Sequence, residues 1–94
     1  MTGQIEGFDW DLANVGHVLR HAMRPSEVEE AVGRPHLVVS AKAIEGEERW
    51  KLFGTTAANR YVVVVFTIRR KLFRAVTAYP MNAAERRKYA AQIE

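Results

Sequence analysis

His17 and His21 stand one helical turn apart with Arg20 beside them, a spacing that puts both imidazoles on one face of a helix. An imidazole gives or takes a proton near neutral pH, so His21 is a candidate proton donor or acceptor. The same i, i+4 spacing can also hold a metal, with His36 at the start of the next element. It lacks the intervening glutamate of the zinc-protease motif, and the sequence marks no third ligand, so no metal and no cofactor is expected. Hydrogen-bonded histidines at a helix edge remain the plainest alternative.

Arginines supply the other half of a possible chemistry. Metal-free cleavage of an RNA phosphodiester must activate a ribose 2′-hydroxyl, stabilise a pentacoordinate phosphorane and protonate the leaving 5′-oxygen. A guanidinium suits the second task, because its planar fork pairs with phosphate oxygens and stays charged at any physiological pH. Arg20, Arg49 and Arg74 are the candidates. Alternation sets Arg49 opposite Trp50 and Leu52, away from the core side of its strand. For Arg74 the alternation is ambiguous, since strict period two gives it the same face as Leu72, Val76 and Ala78.

The elements that must position these groups follow from periodicity and caps. Asp11 suits an N-cap for a helix through about Ala22, with Leu12, Val15 and Leu19 as its buried stripe. Ser26-x-x-Glu29 has the form of a capping box and opens a second helix from about 26 to 33. Then the period changes to that of strands: His36 to Ala43, Glu48 to Gly54, Tyr61 to Ile68 and Leu72 to Tyr79. Tyr61 to Ile68 is apolar on both faces and is the expected central strand. Asn82-x-x-Glu85 opens a terminal helix to about Ile93. An α+β fold follows, with two N-terminal helices, a four-stranded antiparallel sheet and one C-terminal helix, the helices packed on one face. A short extra strand around Gln4 to Asp9 is a weaker signal.

The 94 residues suit a single domain, 1–94, with one core. The absence of cysteine removes disulfides and cysteine-based zinc sites and suits a cytoplasmic setting. The apolar run Tyr61 to Phe66 is far short of the roughly 20 residues of a membrane helix, and the start Met1-Thr2-Gly3-Gln4 lacks an export signal, so no membrane partner is expected. Charge is strongly asymmetric. Residues 1–48 carry nine acidic and four basic side chains, whereas 49–88 carry ten basic and one acidic. Such a basic half attracts a polyanion.

Phe8-Asp9-Trp10-Asp11, Arg20-His21-Ala22, Glu48-Arg49 leading to Gly54-Thr55-Thr56, the valines Val62 to Val65, Arg74-Ala75-Val76-Thr77-Ala78 and Glu85-Arg86-Arg87-Lys88-Tyr89 run in an order that resembles the BrnT family of ribonuclease toxins. The resemblance implies a RelE-like fold and a metal-independent endoribonuclease that cleaves mRNA. It also implies a cognate antitoxin with a ribbon-helix-helix DNA-binding region. Arg20, His21, Arg49 and Arg74 would then be catalytic, and Lys51, Thr77 and Tyr79 would bind substrate. Three positions depart from the family pattern. Arg20 replaces a lysine, Ala22 a glycine, and Tyr79 stands where a second arginine belongs. A phenol can stack or hydrogen-bond but supplies no charge. The competing class is a non-catalytic RNA- or DNA-binding module that has kept the basic face.

Overall fold

A computed structural model describes residues 5–93. Its elements are β1 (Gly7–Phe8), α1 (Leu12–Arg20), α2 (Pro25–Gly33), β2 (His36–Ile44), β3 (Glu47–Thr55), β4 (Tyr61–Arg69), β5 (Leu72–Pro80) and α3 (Ala83–Ile93). The α+β class holds, but the sheet has five strands in the order β1-β5-β4-β3-β2. It is mixed, because β1 pairs in parallel with β5 through Gly7↔Leu72 and Phe8↔Phe73. The four-stranded antiparallel sheet expected from periodicity is therefore corrected by one short strand. Two paired residues are too few to leave a period in the sequence; the expected start of that strand, Gln4, lies outside the described residues.

β4 is the middle strand, and Val63 and Val64, which point to opposite faces, are both fully buried. Each such burial stabilises by roughly 1.5–3 kcal/mol. The helices do not share one face. Val18, Met23, Val28 and Ala31 of the α1–α2 layer pack with Leu52, Val62, Val64 and Phe66. On the other face Ile93 of α3 packs with Phe53 and Val63, edged by Tyr79 and Tyr89. The physical reason is the two-sided apolar character of β4, which needs cover on both faces.

The hairpins are tight. Glu45-Gly46 joins β2 to β3 and Arg70-Lys71 joins β4 to β5, with φ positive at all four residues, as two-residue hairpins with right-handed strand twist require.

The helices depart from expectation in two places, the cap of α2 and the buried face of α1. The N-cap of α2 is Arg24, with Pro25 at the first helical position, and the Glu27 carboxylate accepts from the Arg24 N–H at 3.0 Å. Proline's fixed φ and missing N–H suit that position, so Ser26 falls inside the helix and does not cap it. In α1 the expected buried stripe is overturned. Leu12 and Leu19 are 93% and 52% exposed, and the inward residues are Asn14 and Val18. At α3, Asn82 and Glu85 exchange side-chain-to-backbone hydrogen bonds of 2.8 and 3.0 Å, the expected capping box.

Candidate active site

Arg74 reaches the site through a β-bulge. Val65 of β4 pairs with Thr77, but its neighbour Phe66 pairs with Ala75, so Val76 is an extra residue in β5. The bulge reverses the parity of the strand. Phe73, Ala75 and Ala78 all enter the α1–α2 core, and Arg74, opposite Thr67, projects from the α3 face. Arg49 projects from that same face, two residues before Lys51, whose partner in β4 is Val65. The bulge thus resolves the ambiguity at Arg74: Ala78 does not share its face.

α1 closes the side of this region. β1 ends at Phe8, which leaves the outer edge of β5 beyond Phe73 open to the helix. Asn14, 3% exposed, secures the join: its side-chain amide donates to Ala75 O at 3.0 Å and to Asp9 O at 2.8 Å, and its Oδ1 accepts from Asp11 N. A polar side chain in a buried position is tolerated because its amide nitrogen and its oxygen are both hydrogen-bonded. One helical turn after Asn14 comes His17. Arg49, Arg69, Arg74, Glu47, His17 and Val76 are among the walls of a cavity of about 170 Å³.

The cations of this cavity are held by carboxylates. Arg74, whose side chain is 14% exposed, places Nη1 2.9 Å from Asp11 Oδ2 and 3.5 Å from Asp9 Oδ2. The Arg74 hydrogen bond, with the Asn14 N–H bond next, holds the Asp11 carboxyl below its usual range. Glu47 accepts from Arg69 through Nε at 3.0 Å and Nη2 at 2.8 Å, and its other oxygen lies 3.4 Å from Arg49 Nη2. The Arg69 bond holds the Glu47 carboxyl low as well. Among the described residues, two buried side-chain polar atoms lack a partner: Arg49 Nε and Thr77 Oγ1. Both belong to side chains on this face of the sheet.

The other expected site residues fall outside the cavity. His21 stacks on His17 with ring centroids 5.9 Å apart, and meets the edge of Tyr79 at 6.4 Å. His17, His21 and Tyr79 thus form an aromatic row running away from Arg74. Burial, with a smaller push from Glu85, raises the Tyr79 phenol above 10.0, so it is neutral at physiological pH. Arg20 is exposed and donates Nε to Gly16 O at 3.3 Å. Lys51 lines a larger cleft of about 680 Å³, which shares Arg49 with the smaller one.

Sequence reasoning missed Glu47, Arg69 and the Asp9–Asp11 pair as parts of the site. Asp9 and Asp11 carried a signal, since two acids flanking a tryptophan before a helix exceed what capping needs. Arg69 falls just past the expected strand Tyr61 to Ile68, in the connection to the next strand, where periodicity marks no site residue.

A family model described as ribonuclease toxin, BrnT, of type II toxin-antitoxin system matches residues 10–85 of the chain. No curated protein matches it.

Proposed function

Since the chain belongs to the BrnT family of ribonuclease toxins of type II toxin–antitoxin systems, we propose that it cleaves mRNA in the cytoplasm by attack of a ribose 2′-hydroxyl on the adjacent phosphodiester, without a metal. The observation that carries this reading is that Arg49 and Arg74, from strands separated by β4, wall one cavity with His17. Convergence of this kind is what an active site needs and a solvated surface does not. Arg49 and Arg74 stabilise the phosphorane, and the stacked pair His17 and His21 moves the proton. Thr77 Oγ1 and Lys51 bind flanking phosphate oxygens, Tyr79 stacks against a base, and Arg20, on the same helix, adds attractive charge. The partner is an antitoxin with a ribbon-helix-helix region that covers the cavity.

A second reading, a non-catalytic nucleic-acid-binding module, draws on one observation. Arg74 is already engaged by Asp9 and Asp11, so a phosphate must share it or displace them. Cleavage of RNA in EDTA by the purified protein, alone and on translating ribosomes, decides between the two. Binding without cleavage in both settings would favour the module.

A further inference from the structure

A cleft of about 680 Å³ lies between α3 and strands β2 and β3, and of its lining the functional reading uses only Arg49 and Lys51. Its rim carries Lys42 from β2, Arg49 and Lys51 from β3, and Lys88 from α3, against a single carboxylate, Glu85. Glu85 is turned to its own helix cap, accepting from Asn82 N. Among the described residues, no ion pair involves Lys42, Lys51 or Lys88. The floor is apolar: Val39, Phe53 and Val65, closed by Tyr89, which stacks on Phe53 with centroids 3.8 Å apart. Unneutralised cations over an apolar and aromatic floor are the chemistry of a single-stranded nucleic-acid groove, in which the backbone follows the charge and the bases lie on the rings. The size falls within the range of about 300–1,000 Å³ that holds ordered small ligands.

Arg49 is common to this cleft and to the cavity that holds Arg74 and His17. A chain whose scissile phosphate sits between Arg49 and Arg74 therefore continues directly onto the α3 side. We infer that this cleft is a substrate subsite for single-stranded RNA flanking the scissile phosphate, with Lys42 and Lys88 contacting backbone phosphates and the Val39–Phe53–Tyr89 floor receiving a base. The inference rests on the ribonuclease reading and extends it. Neither Lys88 nor Tyr89 is among the residues that the family resemblance makes catalytic or substrate-binding, and both lie beyond the matched residues 10–85. α3 thereby becomes part of the substrate surface as well as a cover for the sheet.

The test is binding of a short fluorescein-labelled 2′-O-methyl RNA, which cannot be cleaved, followed by anisotropy across a salt titration. Lys42→Ala/Lys88→Ala should weaken binding about 10-fold or more at low salt and flatten the slope of log K against log salt by about 1.4, roughly 0.7 per phosphate contact. Arg70→Gln/Lys71→Gln removes the same formal charge at the β4–β5 turn and should flatten it far less. Both target lysines are exposed, so a thermal melt like that of the wild type verifies the fold. Equal losses in the two double variants would reduce the effect to net charge and overturn the proposal. So would an unchanged slope for Lys42→Ala/Lys88→Ala, including the case in which that variant loses only antitoxin binding and the cleft is the antitoxin's seat. A wild type that shows the slope but never cleaves RNA sinks the ribonuclease reading and leaves the groove standing. A wild type that cleaves normally while the slope is insensitive to both lysines does the reverse.

Discussion

The carboxylate of Asp11 joins helix α1 to Arg74: Oδ1 accepts from the N–H groups of Ala13 and Asn14, at 3.0 and 3.1 Å, while Oδ2 lies 2.9 Å from Arg74 Nη1. One side chain thus starts the helix that carries the histidines and orients the arginine that shares a cavity with His17. The two duties separate by substitution. Asp11→Asn retains an oxygen for the cap but loses the charge that holds Arg74; Asp11→Ala loses both. The expected order of thermal stability is wild type, then Asp11→Asn, then Asp11→Ala. RNA cleavage should already fall in Asp11→Asn. Equal melting temperatures for the two variants would mean that the ion pair alone matters.

The second prediction concerns Ala22, where φ is +61°. Ala22 N donates to Leu19 O at 3.1 Å and Met23 N to Val18 O at 3.0 Å, the paired bonds of a Schellman turn ending α1. Met23 and Val18 are both fully buried, adding the apolar contact that accompanies this motif. The left-handed residue of such a turn favours glycine, and the resemblance drawn from the sequence places a glycine here. Alanine costs about 1–2 kcal/mol in this conformation, while glycine costs back some unfolded-state entropy. Ala22→Gly should therefore stabilise by roughly 0.5–1 kcal/mol in a denaturant titration. A destabilised variant would refute the assigned strain.

Acid sensitivity is expected from Glu27, 5% exposed and 2.7 Å from Arg60 Nη1. Burial pushes its carboxyl up, but the Arg24 N–H bond and the Arg60 guanidinium outweigh this and hold it below 4.5. A carboxyl depressed in the folded state contributes stability that is fully present above its unfolded value of 4.5 and is lost as pH falls through the folded value. Glu27→Gln should cost about 2 kcal/mol at neutral pH, since Arg60 can still reach water, and should flatten the stability profile below pH ~4.5. An unaltered acid limb would assign that limb to other carboxyls.

Much of this fold was legible because single residues announced it. The unbroken apolar run of β4 marked the central strand, and the Asn82–Glu85 pair marked the start of α3. What stayed hidden depended on partners far away in sequence. Asn14 reads as a solvent-facing helix residue until Ala75 O, an acceptor 61 positions on, is brought beside it. With Asn14 and Val18 inward, Leu12 and Leu19 turn outward, against the rule that apolar residues mark the buried stripe. The bulge at Val76 was hidden for a related reason: it changes parity without leaving a glycine or proline to mark it. The apolar residues Phe53 and Val63 on the second face did carry a signal for a helix there, which an assumption of one-sided packing concealed.

In the site, the arginines stood out by type, and their carboxylate partners did not. For the proton-transfer pair the expected effects are graded. His17→Ala should lower the cleavage rate on the order of 10²-fold or more, because His17 lines the cavity. His21→Ala should lower it less if His21 acts by stacking on His17, and equally if it carries the proton itself. Arg49→Ala should lower both rate and affinity. Single-turnover rates with binding measured separately resolve these cases. Full activity in both histidine variants would remove imidazole from the mechanism.

Tyr79 supplies the last test, because it stands where the family resemblance calls for a positive charge. Its phenol is neutral at physiological pH, its ring borders the core beneath α3, and its edge meets His21. An arginine there would lie near Glu85, whose charge already raises the phenol, and its aliphatic stem would cover part of the surface that the ring covers now. Tyr79→Arg should therefore steepen the salt dependence of RNA binding by about 0.7, one phosphate contact, and increase cleavage. Replacing a packed ring should cost about 1–2 kcal/mol of stability. Salt-dependent anisotropy and a denaturant titration read the two effects separately. A stability loss with the salt slope unchanged would mean that no phosphate reaches this end of the aromatic row, and the substrate path would then be confined to Arg49, Arg74 and the cleft beneath α3.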